Sequence, residues 1–90
     1  MPKRERWTML ASVLRAIETE RASAGDDARP TNVAQRAGVP YDRLQGYLQE
    51  LRKAGLVEGE GRLPVVTAKG HEYLRQYNAW MESLARFGLE

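Results

Sequence analysis

The chain has 90 residues, no cysteine, and 14 basic against 12 acidic side chains, which leaves a net charge of +2. This length predicts one domain with a core only just large enough to be stable alone. The lack of cysteine excludes disulfides, thiolate zinc sites and thiol nucleophiles, and the charge balance excludes a histone-like polycation. No apolar run approaches the roughly 20 residues that span a bilayer. We therefore expect a cytoplasmic protein without a signal peptide or a membrane partner.

The chain up to Gly38 predicts two helices joined by a loop. Residues from Arg6 to about Arg21 carry apolar side chains at helical spacing, namely Trp7, Leu10, Val13, Leu14 and Ile17. The stretch Ala22 to Pro30 is rich in Gly, Asp and Pro and predicts a long loop that ends in an extended residue before Pro30, where a very short strand could lie. A second helix of about two turns then follows, capped by Thr31 and ended by Gly38.

The third helix and the elements after it complete the predicted order. Pro40 is tolerated in the first turn of the third helix, which Gly55 ends, and Leu44, Leu48 and Leu51 line its buried side. The stretch "LVEGEGRLPVVT" predicts a hairpin around a Gly-Glu-Gly turn. Thr67 then caps a long amphipathic helix that continues to Phe87. The sequence therefore predicts a mainly α fold with a small β hairpin, a winged helix-turn-helix with a long C-terminal helix.

The chain resembles a known family through "YDRLQGYLQELRKAGLV" and "VVTAKGHEYL". These segments look like those of the small archaeal dimeric winged-helix DNA-binding proteins of the chromatin-associated type, and the resemblance extends from about Lys3 to Phe87. It implies duplex DNA binding and pairing through an antiparallel coiled coil of the last helices. The departures are the long loop and a wing, "EGEGR", with one arginine and two glutamates.

This resemblance also implies a division of the chain. Residues 1–67 would form the winged helix-turn-helix DNA-binding domain, and residues 68–88 a dimerisation helix within the same compact unit. Leu89 and Glu90 form a dipeptide often left where a purification tag is joined, so these two residues need not be native.

The outward face of the third helix contains the candidate DNA contacts. Early residues of this helix reach base edges in a helix-turn-helix, where Gln and Arg can form bidentate hydrogen bonds. Arg43, Gln45 and Gln49 are the candidates, with Tyr41 at the start of the helix. Lysines and arginines near phosphates would supply nonspecific affinity. These are Lys3, Arg4 and Arg6 at the N-terminus, Arg36 on the second helix, Lys53 at the end of the third and Arg62 in the wing.

Both assignments have a simpler alternative. The helix face is close to neutral because it includes Asp42 and Glu50, so it could be an ordinary solvated surface. The N-terminal basic residues could belong to a frayed terminus. Gly46 lies on the same face and costs about 1 kcal/mol relative to Ala. It either allows close approach to DNA or is a tolerated surface glycine.

The last helix carries a heptad stripe that predicts a homodimer interface. Its residues are Tyr73, Tyr77, Trp80, Met81, Leu84 and Phe87. The near end, around Tyr73 and Leu74, fits packing against the first helix of the same chain. The far end lies beyond the reach of a small core and fits pairing with a second copy.

The residues do not predict an enzyme. The sole histidine, His71, is expected at the surface, and no metal-ligand cluster, glycine-rich phosphate loop or nucleophile–base pair is present, so no cofactor, metal or small-molecule ligand is expected. The alternative to a DNA-binding protein is a winged-helix module that binds another protein. Affinity for duplex DNA that falls steeply with salt would distinguish the two.

Overall fold

The computed structural model describes residues 2–89, with side chains from residue 6 onward. Its elements are, in chain order, α1 (Pro2–Ala24), a short 3-10 helix (Gly25–Asp27), α2 (Pro30–Ala37), α3 (Tyr41–Lys53), β1 (Val57–Glu58), β2 (Val65–Val66) and α4 (Ala68–Arg86). The two strands form an antiparallel hairpin in which Val57 pairs with Val66. This order confirms the predicted mainly α fold with a small hairpin and a long C-terminal helix.

The core lies between α1, α2, α3 and the hairpin, where the apolar sides of these elements meet. Because a helix repeats every 3.6 residues, apolar residues three and four apart fall on one side and can be buried together. The buried side chains include Val13, Leu14, Ile17, Val33, Leu44, Leu48, Leu51, Val57 and Val66. Leu74 is the buried apolar side chain through which α4 joins this core.

The prediction of a long loop over Ala22–Pro30 was wrong. The first helix is longer at both ends than the predicted Arg6–Arg21, and the 3-10 helix follows it directly. Only Ala28 and Arg29 separate the 3-10 helix from α2, and neither belongs to a strand, although Arg29 has the extended backbone predicted before Pro30. The Ala-Ser-Ala segment contains no helix breaker, so α1 continues until Gly25, whose φ of 56° is left-handed.

The N-terminal cap of α2 also differs from the prediction. Arg29 is the N-cap residue, and Pro30 occupies the first turn, where its missing N–H costs nothing. Thr31 lies inside the helix and makes no cap. The free N–H of Arg29 is instead satisfied by the Glu20 carboxylate of α1, at 3.0 Å.

The turn between α2 and α3 agrees with the predicted left-handed stop. Gly38 has φ 71°, and the Val39 N–H donates to the Ala34 carbonyl at 3.0 Å. These two features form the glycine-ended helix terminus that satisfies the last carbonyls of α2. Pro40 then serves as the N-cap of α3 instead of lying within its first turn.

The start of α4 is tied to the hairpin by Thr67 and Gly70. The Thr67 hydroxyl accepts from the Gly70 N–H at 3.1 Å, which confirms the predicted cap, and it donates to the Gly55 carbonyl at 2.7 Å. A Cβ at Gly70 would lie 2.3 Å from the Leu56 carbonyl oxygen and 2.6 Å from Cγ1 of Val66. Only glycine therefore permits this close approach of α4 to the hairpin.

Candidate nucleic-acid interface

The second helix of the helix-turn-helix, α3, has one buried and one exposed side. Leu44, Leu48 and Leu51 face the core, as predicted. The opposite side contains the predicted contact residues, all of them exposed: Tyr41, Arg43, Gln45, Gly46, Gln49 and Lys53. The turn at Gly38 and the core contacts of α3 hold this side toward solvent.

Four polar side chains on this side have no partners within the described part of the chain. The side chains of Arg43, Gln45, Gln49 and Lys53 make neither a hydrogen bond nor an ion pair with any residue that the structure describes. Their donors and acceptors are therefore available to a ligand without loss of an internal contact. A Cβ at Gly46 would meet no atom within 4 Å, so nothing inside the fold requires a glycine there.

Glu50, an acid on this helix, is neutralised by the first helix. Its Oε1 accepts a hydrogen bond from the Arg6 guanidinium of α1 in an ion pair. Arg6, Arg43 and Tyr47 line one groove beside the α2–α3 turn. The surface beside Arg43 is thus less acidic than the sequence of α3 alone indicates.

Arg36 has an internal partner that the sequence did not reveal. Its Nε lies 3.2 Å from Oε1 of Glu20, and its side chain remains 40% exposed. Oε2 of the same carboxylate accepts from Asn32 Nδ2 at 2.9 Å, in addition to the Arg29 N–H. The Asn32 amide, the Arg29 N–H and then Arg36 lower the pKa of Glu20, which is buried and charged. Arg36 therefore secures α2 to α1, whatever else it contacts.

The wing, residues 59–64 between the strands, presents Arg62 to solvent. Asp26 and Asp27 of the 3-10 helix line the same cleft as Arg62, together with Arg21 and Arg29. Two arginines that had no predicted role at the site support the wing. Arg21 of α1 donates to the Leu63 carbonyl at 3.3 Å, and Arg52 of α3 donates to the Gly59 carbonyl at 3.4 Å. Lys3 and Arg4 lie outside the residues whose side chains are described.

The aromatic residues of α4 meet α1 in a second surface. Tyr73 stacks on Trp7 with ring centroids 5.8 Å apart and donates its hydroxyl proton to the Trp7 carbonyl at 2.8 Å. Burial, and then the neighbouring Tyr77, raise the pKa of Tyr73 to about 12, so the phenol stays a donor. Trp7, Tyr73, Tyr77, Trp80 and Met81 line a groove of about 450 Å³, named here the aromatic groove.

Exposure along α4 follows the predicted division between near and far ends. Leu74 is buried, Tyr73 and Tyr77 are half-buried, and their hydroxyls bond to α1. Met81 and Leu84 are half-buried, while Trp80 is 60% exposed and Phe87 76% exposed. Trp7 of α1 also belongs to this surface. It lies on the predicted apolar stripe of the first helix, yet its side chain is 57% exposed.

His71 lies at the surface, as predicted, and has one partner on the first helix. Its Nε2 is 2.8 Å from Oε2 of Glu18. Among the side chains of residues 6–89, no group of three acidic or histidine residues could hold a metal ion. None of the helices described here combines the length and apolar character needed to cross a membrane.

Comparison with known families agrees with this geometry. A family described as winged helix-turn-helix matches residues 3–84. The chain therefore belongs to the winged helix-turn-helix family. Proteins of this family are in general DNA-binding regulators and typically not enzymes. Searches of curated proteins and of solved structures found no significant match.

Proposed function

We propose that the chain is a dimeric DNA-binding protein, a transcriptional regulator or chromatin-associated protein of the archaeal type that it resembles. The observation that carries this proposal is the exposed side of α3, where the side chains of Arg43, Gln45 and Gln49 lack partners among the described residues. A helix-turn-helix places the corresponding side of its second helix in the major groove. Such a protein would reside in the cytoplasm, associated with the nucleoid.

Residues of α3 would divide into base readers and phosphate contacts. Arg43, Gln45 and Gln49 have the donors and acceptors that bidentate base recognition needs. Lys53 at the end of α3 and Arg62 in the wing would contact phosphates, and Tyr41 would contact DNA from the opposite end of α3. Arg36 can donate its remaining N–H groups to a phosphate while its Nε stays on Glu20, and Lys3 and Arg4 would extend the basic surface.

Gly46 would lie where the helix approaches DNA most closely. It is flanked on this side of α3 by Arg43 and Gln49, and a Cβ there would enter open space. Replacing it by Ala should stabilise the helix by up to about 1 kcal/mol. Replacing it by Leu should weaken duplex binding, because a larger side chain would separate α3 from the groove.

Dimerisation through α4 would complete the arrangement. In this proposal residues 1–67 form the DNA-binding domain and residues 68–88 the pairing helix, with Tyr73, Tyr77, Trp80, Met81, Leu84 and Phe87 at the interface. Support comes from the exposure of Trp80 and Phe87, which leaves apolar surface uncovered in a single chain. Two joined recognition helices would bind one duplex more tightly than either alone.

Titration of labelled random and genomic duplexes at two salt concentrations, with the mass of the complex measured, tests this proposal. We expect wild-type affinity to fall steeply with salt, because phosphate contacts release counterions. Gln49→Ala should reduce discrimination between duplexes, and Lys53→Ala should weaken all duplexes and lower the salt slope by about 1.

Arg75→Ala is the matched control for the lost positive charge. Arg75 lies on α4, where it pairs with Glu72, so its removal should leave duplex affinity nearly unchanged. Negligible duplex affinity of the wild type even at low salt would contradict the proposal. It would favour instead a winged-helix module that binds protein, an alternative consistent with the nearly neutral charge of α3.

A further inference from the structure

The aromatic groove is an apolar concavity between α1 and α4, and none of its lining residues belongs to the candidate DNA interface. Its walls are Trp7 of α1 and the side of α4 that carries Tyr73, Tyr77 and Trp80. All of the described residues from Arg75 to Arg86 are at least partly exposed. An isolated chain would therefore leave this groove and the apolar ridge beyond it in water, which is unfavourable.

The same helix presents a ridge that could fill such a groove. Phe87 is 76% exposed at the C-terminal end of α4, and Trp80, which lines the groove, is 60% exposed. Tyr73 precedes Trp80 by seven residues and Phe87 follows it by seven. Seven residues are nearly two helical turns, so the three side chains lie along one stripe at intervals of about 10 Å.

Because Tyr73 and Phe87 are equally far from Trp80, this stripe can pair with the same stripe of a second copy across a two-fold axis. A two-fold axis passing near Trp80 and perpendicular to α4 would place Phe87 of the partner subunit against Tyr73. It would do so in both subunits at once, as a closed isologous interface requires. The surface then needs no second type of partner to be covered.

We propose that the aromatic groove is the seat of Phe87 from a second copy of the chain, so that Trp7 of α1 is an interface residue. This inference rests on the proposed dimer and changes its form. The interface is a groove between α1 and α4 that holds the end of the partner's α4, instead of a coiled coil of two last helices alone. It also connects dimerisation to the recognition helix. Arg6, the residue before Trp7 in α1, pairs with Glu50 of α3.

The tryptophan content of the chain permits a direct test. Trp7 and Trp80 are its two tryptophans, and both line the groove. Intrinsic tryptophan emission therefore reports on this surface alone. Dilution of the wild-type protein should shift the emission to longer wavelength over the same concentration range in which sedimentation shows dissociation of the dimer.

Substitutions then separate the groove from a coiled coil of α4. Trp7→Ala and Phe87→Ala should each raise the dimer dissociation constant about tenfold or more, as expected when a large aromatic anchor or the wall of its pocket is removed. Circular dichroism should show unchanged helix content, since both side chains are mostly exposed. Val65→Ala, which truncates an exposed apolar residue of β2, is the control and should leave dissociation unchanged.

Each outcome bears on the inference. A wild-type dimer that dissociates as expected, with weakened Trp7→Ala and Phe87→Ala variants, supports it. A dimer that neither substitution weakens overturns the groove arrangement while the proposed dimer stands. A wild type that stays monomeric at high micromolar concentration overturns both, and the groove would then belong to a different occupant, while duplex titration of that monomer tests DNA binding separately.

Discussion

Gly70 is a residue at which a single methyl group should disturb the fold. A Cβ there would lie 2.3 Å from a backbone oxygen of Leu56, which cannot move aside without shifting the hairpin. We expect Gly70→Ala to lower the free energy of unfolding by about 3 kcal/mol, at the upper end of the usual cost of overpacking. Urea denaturation followed by circular dichroism measures this loss.

Gly61→Ala is the control for Gly70. A Cβ at Gly61 would have no neighbour within 4 Å, so the free energy of unfolding should change by no more than about 0.5 kcal/mol. Equal urea midpoints for the two variants would show that α4 does not approach the hairpin as closely as described.

Glu20 is the second residue whose surroundings predict a measurable property. Its pKa lies below the ordinary value of 4.5 because Asn32, the Arg29 N–H and Arg36 favour the charged carboxylate. A carboxyl whose pKa is lower in the folded than in the unfolded chain stabilises the fold above its unfolded pKa. That stabilisation is lost as the pH falls through the folded pKa.

Glu20→Gln should therefore lower the melting temperature at pH 7, because its amide places N–H groups against the donors of α2. The difference from wild type should shrink as the pH falls from 4.5 through the lower folded pKa. Thermal melts at a series of pH values test this. Glu82→Gln, which changes an exposed glutamate of α4, should melt like the wild type throughout, and a pH-independent difference for Glu20→Gln would contradict the assignment.

At the scale of single elements, two threonines near helix starts have different roles. Thr67 caps α4 and bonds to the turn after α3, whereas Thr31 lies within α2 behind the Arg29 cap. Thr67→Ala should cost about 1 kcal/mol of stability, because one N–H of α4 loses its acceptor.

The matched substitution Thr31→Ala should change stability by no more than about 0.5 kcal/mol, since this side chain is exposed. Chemical denaturation of both variants measures the difference. A larger loss from Thr31→Ala than from Thr67→Ala would reverse the two assignments.

The elements also show which local signals were sufficient. The leucine period of α3, the stop at Gly38 and the cap at Thr67 were predicted from neighbours in sequence, and each depends on contacts within a few residues. The segment from Ala22 to Pro30 was predicted wrongly. The cap of α2 was also predicted wrongly, because Glu20, nine residues before Arg29, satisfies an N–H that a local side chain would otherwise have to cap.

For the whole molecule, DNA affinity should depend on dimerisation if both proposals hold. Trp80→Glu should give a folded monomer, since Trp80 is 60% exposed and outside the buried core. Loss of the second recognition helix should weaken duplex binding by roughly 100-fold, within the usual range for joined binding sites. Sedimentation and duplex titration of the same sample measure both effects.

Ala79→Glu places the same charge on an exposed position of α4 away from the aromatic groove. It should remain dimeric and bind DNA almost as the wild type does. Unchanged duplex affinity of a monomeric Trp80→Glu variant would show that one domain suffices for binding.

Some features of the candidate site follow from local sequence patterns, as some of the elements do, and others do not. The side of α3 that carries Arg43, Gln45 and Gln49 was predictable, because helical periodicity alone determines which side chains oppose the leucines. The partners of Arg36 and Glu50 were not predictable. They are Glu20 and Arg6, which are distant in sequence and approach only when α1 packs across the helix-turn-helix.

The sequence by itself determined the order of the elements, the buried side of α3 and the stripe of aromatic residues on α4, since all three follow from local periodicity and turn chemistry. Only the tertiary structure decided what these surfaces contact. It placed Trp7 beside Tyr73, bound Arg36 to a buried carboxylate and required glycine at residue 70. These outcomes depend on distances between residues far apart in the chain, and such distances are set by the packing of whole helices, which no local pattern encodes.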